Sequence, residues 1–270
     1  MPESVAMRTW IAIPLLIIAG SVASASDANT GHGSSLTIDG GCRIDSDYRF
    51  HLTERSVIFT RDRAEPRRVL MRQGRLFVDD RWVHLSPADS RRVHEYERQA
   101  RAAMPLAQRI GRDAARIAFT SLGEVAAGLS PDPERTRARL AAARARLEAR
   151  LAHSVTATRF DGAELGNGIA DAIREVLPSL VGDVVGGAVR AAFAGDARRL
   201  QELEDLDRDI ERRIAPQTRD LERNARRLCR RMEALDRLDD TLEYRLPDGA
   251  SLDLLQVERR HHGRPASPSG

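Results

Sequence analysis

Lysine is missing altogether: every one of the 43 basic residues among the 270 of this chain is arginine. That absence excludes a phosphate-binding loop with its lysine, Schiff-base chemistry and any lysine general base. A GC-rich coding bias explains it more simply than selection for guanidinium chemistry. Aromatic residues are scarce at 4%, which together with abundant alanine favours helices packed closely through small side chains. Charge of one sign is lacking too, because 43 basic against 40 acidic residues leave only +3. So small an excess sets up no dominant field to hold nucleic acid. Several chemical signatures are also absent. No GxSxG nucleophile elbow occurs, and His94-Glu95 begins like a zinc-protease helix but has Arg98 where the second histidine belongs. Asp205, Asp207 and Asp209 alternate like a calcium loop, yet no glycine follows and the context is a leucine-periodic helix, so they read as a solvated face. Asp239-Asp240 is a carboxylate pair near a helix end with no accompanying acid or base signal. His261-His262 offers two ligands on a polar tail, a weak metal site. No cofactor and no metal centre is expected.

What is present begins with the first 25 residues. Arg8 precedes an apolar run from Trp10 to Ala19, and Ala23-Ser24-Ala25 supplies a small-x-small cleavage pattern, so residues 1–25 read as a secretory signal with the mature chain starting at Ser26. Met7 is an alternative initiator that leaves Glu3 out of the basic region. The run is too short for a stable anchor. Cys42 lies too far beyond it for lipoprotein acylation. The expected location is the periplasm.

Cysteine occurs twice, as Cys42 and Cys229. In an oxidising compartment an even pair without metal-type spacing reads as one disulfide, the alternative being two unpaired thiols. The bridge would close a loop of 229 − 42 = 187 residues, for which the chain-entropy model gives about 5 kcal/mol.

Apolar residues at 41% leave a real core to bury. Residues 26–35 are small and polar and read as a flexible leader. From 36 to 86 the pattern alternates with period two through Tyr48, Phe50, Leu52, Val57, Phe59, Val69, Met71, Leu76 and Val78 to Trp82, with tight turns at Gln73-Gly74 and Asp79-Asp80. This predicts an antiparallel β-meander whose aromatics form the buried face. Ser86-Pro87 then caps a helix reaching about Gly128, which Pro105 should kink or split. A second helix spans 134–154 and an apolar, glycine-rich one 169–193, with Gly182 and Gly186 spaced for close helix approach. The last runs from 196 to 240 with Ile214, Leu221, Leu228, Leu235 and Leu242 spaced by sevens, a heptad stripe. The fold class expected is α+β, mainly α: an N-terminal antiparallel β-meander followed, over 87–257, by a bundle of long helices with coiled-coil-like packing and a short strand-like segment near its end. Residues 258–270 read as a disordered tail.

Cys42 with Ser46-Asp47-Tyr48, the strand Val57-Ile58-Phe59-Thr60-Arg61, the segment Arg75-Leu76-Phe77-Val78-Asp79 and the late helical Leu228-Cys229-Arg230-Arg231 together resemble the YggN-like family. Those are exported proteins of Gram-negative bacteria with no assigned biochemical role. The resemblance covers about residues 36–257 and implies periplasmic residence and a sheet-plus-helices build. It brings no active site with it. The functional expectation is a non-enzymatic periplasmic protein whose long helices contact another envelope protein or a second copy of itself. The alternative is a peripheral lipid-binding module using the helix 169–193, with Arg190, Arg198 and Arg199 meeting anionic headgroups. A hydrolase with an unfamiliar site ranks last.

Overall fold

A computed structural model describes residues 34–38, 42–130, 132–162, 164–172, 174 and 197–259, all within the compact unit His32–Gly270. Alternation produces the expected strands, and turn chemistry sets their register. Five strands, β3 (Arg49–Leu52), β4 (Val57–Thr60), β5 (Arg68–Arg72), β6 (Arg75–Val78) and β7 (Arg81–Val83), form an antiparallel meander. At the β5–β6 turn Gln73 and Gly74 have φ of 53° and 72°, and at the β6–β7 turn Asp79 and Asp80 have 47° and 62°. Two consecutive positive φ values define the two-residue hairpin whose twist matches that of its strands. Val57, Phe59, Val69, Met71 and Leu76 point inward and are almost fully buried.

The single meander expected over 36–86 is divided between two sheets. Strands β1 (Ser34–Ile38) and β2 (Cys42–Ser46) leave it and join β10 (Gln256–Arg259) in a three-stranded sheet of order β1-β2-β10. Ser46 and Tyr48 mark the departure, with the Ser46 hydroxyl donating to the Leu254 carbonyl at 2.5 Å. The vacated edge of β3 is occupied by a hairpin that the sequence pattern did not announce, β8 (Val155–Thr156) and β9 (Arg159–Asp161), giving the order β7-β6-β5-β4-β3-β9-β8. Glu258 and Arg259, assigned to the tail from sequence, belong to β10. Antiparallel pairing with β2 orders them, and the Arg259 guanidinium makes two 2.6 Å bonds to Glu233.

Helix α1 (Pro87–Leu129) begins where Ser86 accepts the Asp89 N–H at 3.1 Å and Pro87 takes the first helical position. It runs through Pro105 as one element. Ala100, Ala103 and Met104 are buried before the proline, and Leu106 and Ala107 pack on the same core after it, so tertiary contact outweighs the lost backbone bond. Helix α2 (Pro133–Ser154) is capped by Asp132, which accepts the Arg135 N–H at 3.1 Å. Helix α3 (Ala197–Asp240) likewise contains its proline, Pro216. α1 packs against both α2 and α3, and of the heptad stripe Ile214, Leu228 and Leu235 on α3 and Leu242 just past its end are buried. The main core joins the inner face of the meander to Val93, Tyr96 and Met104 of α1, to Leu228 and Leu235 of α3, and to Leu252, Leu254 and Leu255 beyond it.

Candidate functional site

Strand register places a continuous row across the outer face of the larger sheet. Asp161 of β9 pairs with His51 of β3, His51 with Ile58 of β4, Ile58 with Leu70 of β5, Leu70 with Phe77 of β6, and Phe77 with Trp82 of β7. Ile58, Leu70 and Phe77 are half-buried and Trp82 is 64% exposed. Thus the expectation that the meander's aromatics form its buried face holds for Tyr48 and Phe59 and fails for Phe77 and Trp82. The cause is parity: a side chain next in sequence to a buried one must face the other way. One flank of the row carries Arg49, Thr60 and Arg68 in register, and the other carries Arg72 opposite Arg75.

The polar end of this row forms an open concavity of about 720 Å³, walled by His51, His153, Arg68, Arg159, Asp161 and Glu164 among others. His51 Nδ1 lies 3.5 Å from Asp161 Oδ2, and the Glu164 N–H donates to Asp161 Oδ1 at 3.1 Å. A carboxylate beside an imidazole orients the ring, as in a general-base pair. Among the described residues no hydroxyl or thiol is hydrogen-bonded to His51, so the nucleophile of such a relay is not assembled. Arg159 is closed on Glu164 at 2.9 Å and Arg68 on Asp80 at 3.1 Å.

A second, smaller cleft of about 310 Å³ lies between α1 and α3, lined by Arg109, Asp113, Asp220, Arg223, Asn224 and Arg227. Asp220 pairs with Arg223, and Asp113 lies 3.5 Å from Arg116. Asn224 is 9% exposed. Gln217 Oε1 on α3 and Ser121 Oγ on α1 are also buried without a partner.

Three buried carboxylates hold the fold together. Asp89 Oδ1 and Oδ2 accept the N–H groups of Glu243 and Tyr244, at 3.1 and 2.9 Å. Glu97 accepts Gln73 N–H at 3.1 Å and Gly74 N–H at 2.9 Å, tying the β5–β6 turn to α1. Asp239 Oδ2 accepts the N–H groups of Leu254 and Leu255, while its Oδ1 and the Tyr96 hydroxyl are buried without a partner. Burial pushes the Asp239 carboxyl up to about 8 against the pull of those two N–H bonds. The Tyr96 phenol is raised by its own burial and then by Asp239 and Asp236.

Of the residues singled out in the sequence, Cys42 and Cys229 are joined in a disulfide with Cα atoms 5.8 Å apart, clamping β2 to α3. His94 is exposed and Glu95 is held down to about 2 by Arg98, 2.8 Å away, and then by Gln99. Asp239 is an internal tie, and Asp240 beside it is exposed. The side chains of Asp205, Asp207 and Asp209, the histidines His261 and His262, and the stretch 175–193 with Gly182, Gly186 and Arg190 lie outside the described residues, as do residues 1–33 and the side chains of Arg198 and Arg199. Among the described residues no three His, Cys, Asp or Glu side chains converge as a metal site, and no helix is long and apolar enough to cross a membrane. The His51–Asp161 pair escaped sequence reasoning because it depends on β9, whose pairing with β3 spans more than a hundred residues. Only the short alternation around Phe160 could have flagged it.

No curated protein and no solved structure matches this chain. One family model, described as "Protein of unknown function (DUF2884)", matches residues 42–255, from the first bridged cysteine to the segment tied by Asp239, and the chain belongs to that uncharacterised family.

Proposed function

We propose that this is an exported protein of the Gram-negative periplasm, of the YggN-like kind, that works by binding rather than by catalysis, with the paired helices α1 and α3 as its contact element. The observation that carries the reading is the reach of these helices beyond their core. At about 1.5 Å per residue, 43 and 44 residues extend roughly 65 Å each. Among the described residues the main core engages Val93 to Ile110 of α1 and Leu228 onward in α3. Past it the described residues hold Ala115, Ile117 and Ile214, a small second cluster in which Phe119 packs on Leu140 and Ala143 of α2, an ion pair between Arg213 and Glu124 at 2.8 Å, and a 43% exposed Leu122. A long arm with Leu122 exposed beyond so small a second cluster gains from coiled-coil-like packing against a further helix, from an envelope protein or a second copy. The Cys42–Cys229 bridge supports export, since such bonds persist in oxidising compartments.

The test places a photo-crosslinking residue at Leu122 on the arm and, as a control, at Arg63 in the β4–β5 connection. The cells' periplasmic fraction is then analysed for the mature N-terminus and for adducts. The reading expects a chain starting at Ser26 and a reproducible adduct, to self or to one envelope protein, from Leu122 alone. A cytoplasmic, uncleaved chain removes the export half. A strictly monomeric protein with no adduct specific to the arm removes the contact half.

A further inference from the structure

We propose that the outer face of the seven-stranded sheet docks on an anionic bilayer surface, with Trp82 entering the headgroup region and Arg72 and Arg75 meeting lipid phosphates.

Three observations carry this. The first is the apolar stretch Ile58, Leu70, Phe77 and Trp82, one residue per strand in unbroken register, which at the usual strand spacing spans about 14 Å on the face turned away from the core. A solvated sheet face normally alternates to polar residues at these positions. The second is the flank beside Trp82. Arg72 and Arg75 stand directly opposite each other across β5 and β6, both are exposed, and among the described residues neither has a carboxylate partner. Like charges directly opposed are destabilising, so the pair is costly unless an anion sits against it. The third is the contrast with the far flank. There Arg49 is held by Asp62 through two bonds and Arg68 by Asp80, so between the two flanks of the row the arginines without a carboxylate among the described residues are Arg72 and Arg75. The Arg75 guanidinium lies 5.8 Å from the Trp82 ring centroid, and His84 is 6.2 Å from that ring. An indole with guanidinium neighbours is the pairing found where protein meets the membrane–water boundary. The occupant that complements a short apolar row with such arginines along one flank is therefore an acyl-chain surface edged by phosphates.

Trp82 also reports on the site. The chain holds two tryptophans, Trp10 and Trp82. The form starting at Ser26 retains the whole compact unit His32–Gly270, with Trp82 as its sole indole. It is titrated with vesicles of phosphatidylglycerol and phosphatidylcholine at low salt, with pure phosphatidylcholine in parallel and brominated acyl chains as quencher. Expected are a blue shift and quenching of Trp82 by the anionic vesicles, loss of both as salt is raised, and a fall of roughly thirtyfold in partitioning for Arg72→Gln/Arg75→Gln, at about 1 kcal/mol per arginine. The salt and quenching arms need no variant, so a folding defect in the double change does not blunt the test. Emission unmoved by lipid overturns the proposal and returns the face to a protein partner. Emission already blue-shifted before lipid is added overturns it by showing the row covered by the chain itself. Vesicle binding with Trp82 unquenched overturns it by placing the contact elsewhere. These outcomes are independent of the arm crosslinks, so either reading can fail alone.

Discussion

Asp239, near the end of α3, accepts the backbone N–H of Leu254 at 2.6 Å, and through that bond an acidic side chain in the core fixes the segment that leads into β10. Because burial raises its carboxyl to about 8, against an ordinary 3.8, the folded protein binds this proton more tightly than the unfolded chain. The stability it contributes is complete below about pH 4 and is lost as pH rises toward 8. Asp236, raised by burial as well, acts in the same direction. Glu95, held at about 2, acts oppositely, and its share is lost only as pH falls toward 2. Chemical denaturation between pH 5 and 8.5 should therefore show stability falling, with a slope approaching 1.4 kcal/mol per pH unit for one proton. Asp239→Asn keeps an oxygen for the Leu254 and Leu255 N–H groups without the charge. It should flatten the profile and exceed the wild type at pH 8, and a wild-type profile already flat over this range would refute the assignment.

The Cys42–Cys229 disulfide closes a loop of 187 residues that contains the whole meander, α1 and α2. Cys42→Ser and Cys229→Ser should each lower stability by a similar amount, up to about 5 kcal/mol on the chain-entropy account. The double change should cost little more, since the two residues act as one unit. Additive losses in urea melts would mean that each cysteine contributes packing on its own.

Local signals read correctly wherever one stretch of chain decides its own structure. The Gln73-Gly74 and Asp79-Asp80 hairpin turns and the Ser86-Pro87 helix start all appear where turn and cap chemistry places them. What escaped were partnerships made across the chain. β2 alternates just as the meander does, and nothing local reveals that it pairs with β1 and β10 instead. Phe77 and Trp82 fit a strand equally well on either face, and only the burial of Leu76 and Val78 fixes their outward direction. Pro105 marks a weak point in any isolated helix, but the core on both sides of it overrides that preference. The disulfide was legible because two cysteines allow one connectivity, whereas the His51–Asp161 pair required knowing where β9 docks.

Glu97 receives two backbone N–H groups from the β5–β6 turn, which makes it, like Asp89, a sensitive acidic position of α1. Glu97→Ala leaves both donors unsatisfied and should cost roughly 3 kcal/mol. Glu97→Gln, which brings one acceptor oxygen and one donor nitrogen to two donors, should fall between. Gly74→Ala tests the same tie from the other side. Its φ of 72° and a Ser90 carbonyl 2.9 Å from the added Cβ leave no room for a side chain. Urea midpoints for the three variants should rank Glu97→Gln as the mildest. An undisturbed midpoint for Glu97→Ala would show that the turn holds itself.

Asn224 points the other way, toward a gain. It is 9% exposed and lines the cleft between α1 and α3. An amide held so largely out of water forgoes part of its hydration, whereas an apolar side chain of similar size avoids that cost and adds contacts with the buried Ala225 and Leu228 on the same stretch of helix. Asn224→Leu should raise the denaturation midpoint by an amount equivalent to about 1 kcal/mol with the slope unchanged. Asn224→Ala removes the amide without filling its space, so it should gain less. If both changes destabilise and the leucine is the worse, the amide is already satisfied by water or solute held in the cleft beside Arg109 and Arg227. The seam would then be a polar site that the leucine blocks, and phosphate added to the wild type but not to the leucine form should raise the midpoint.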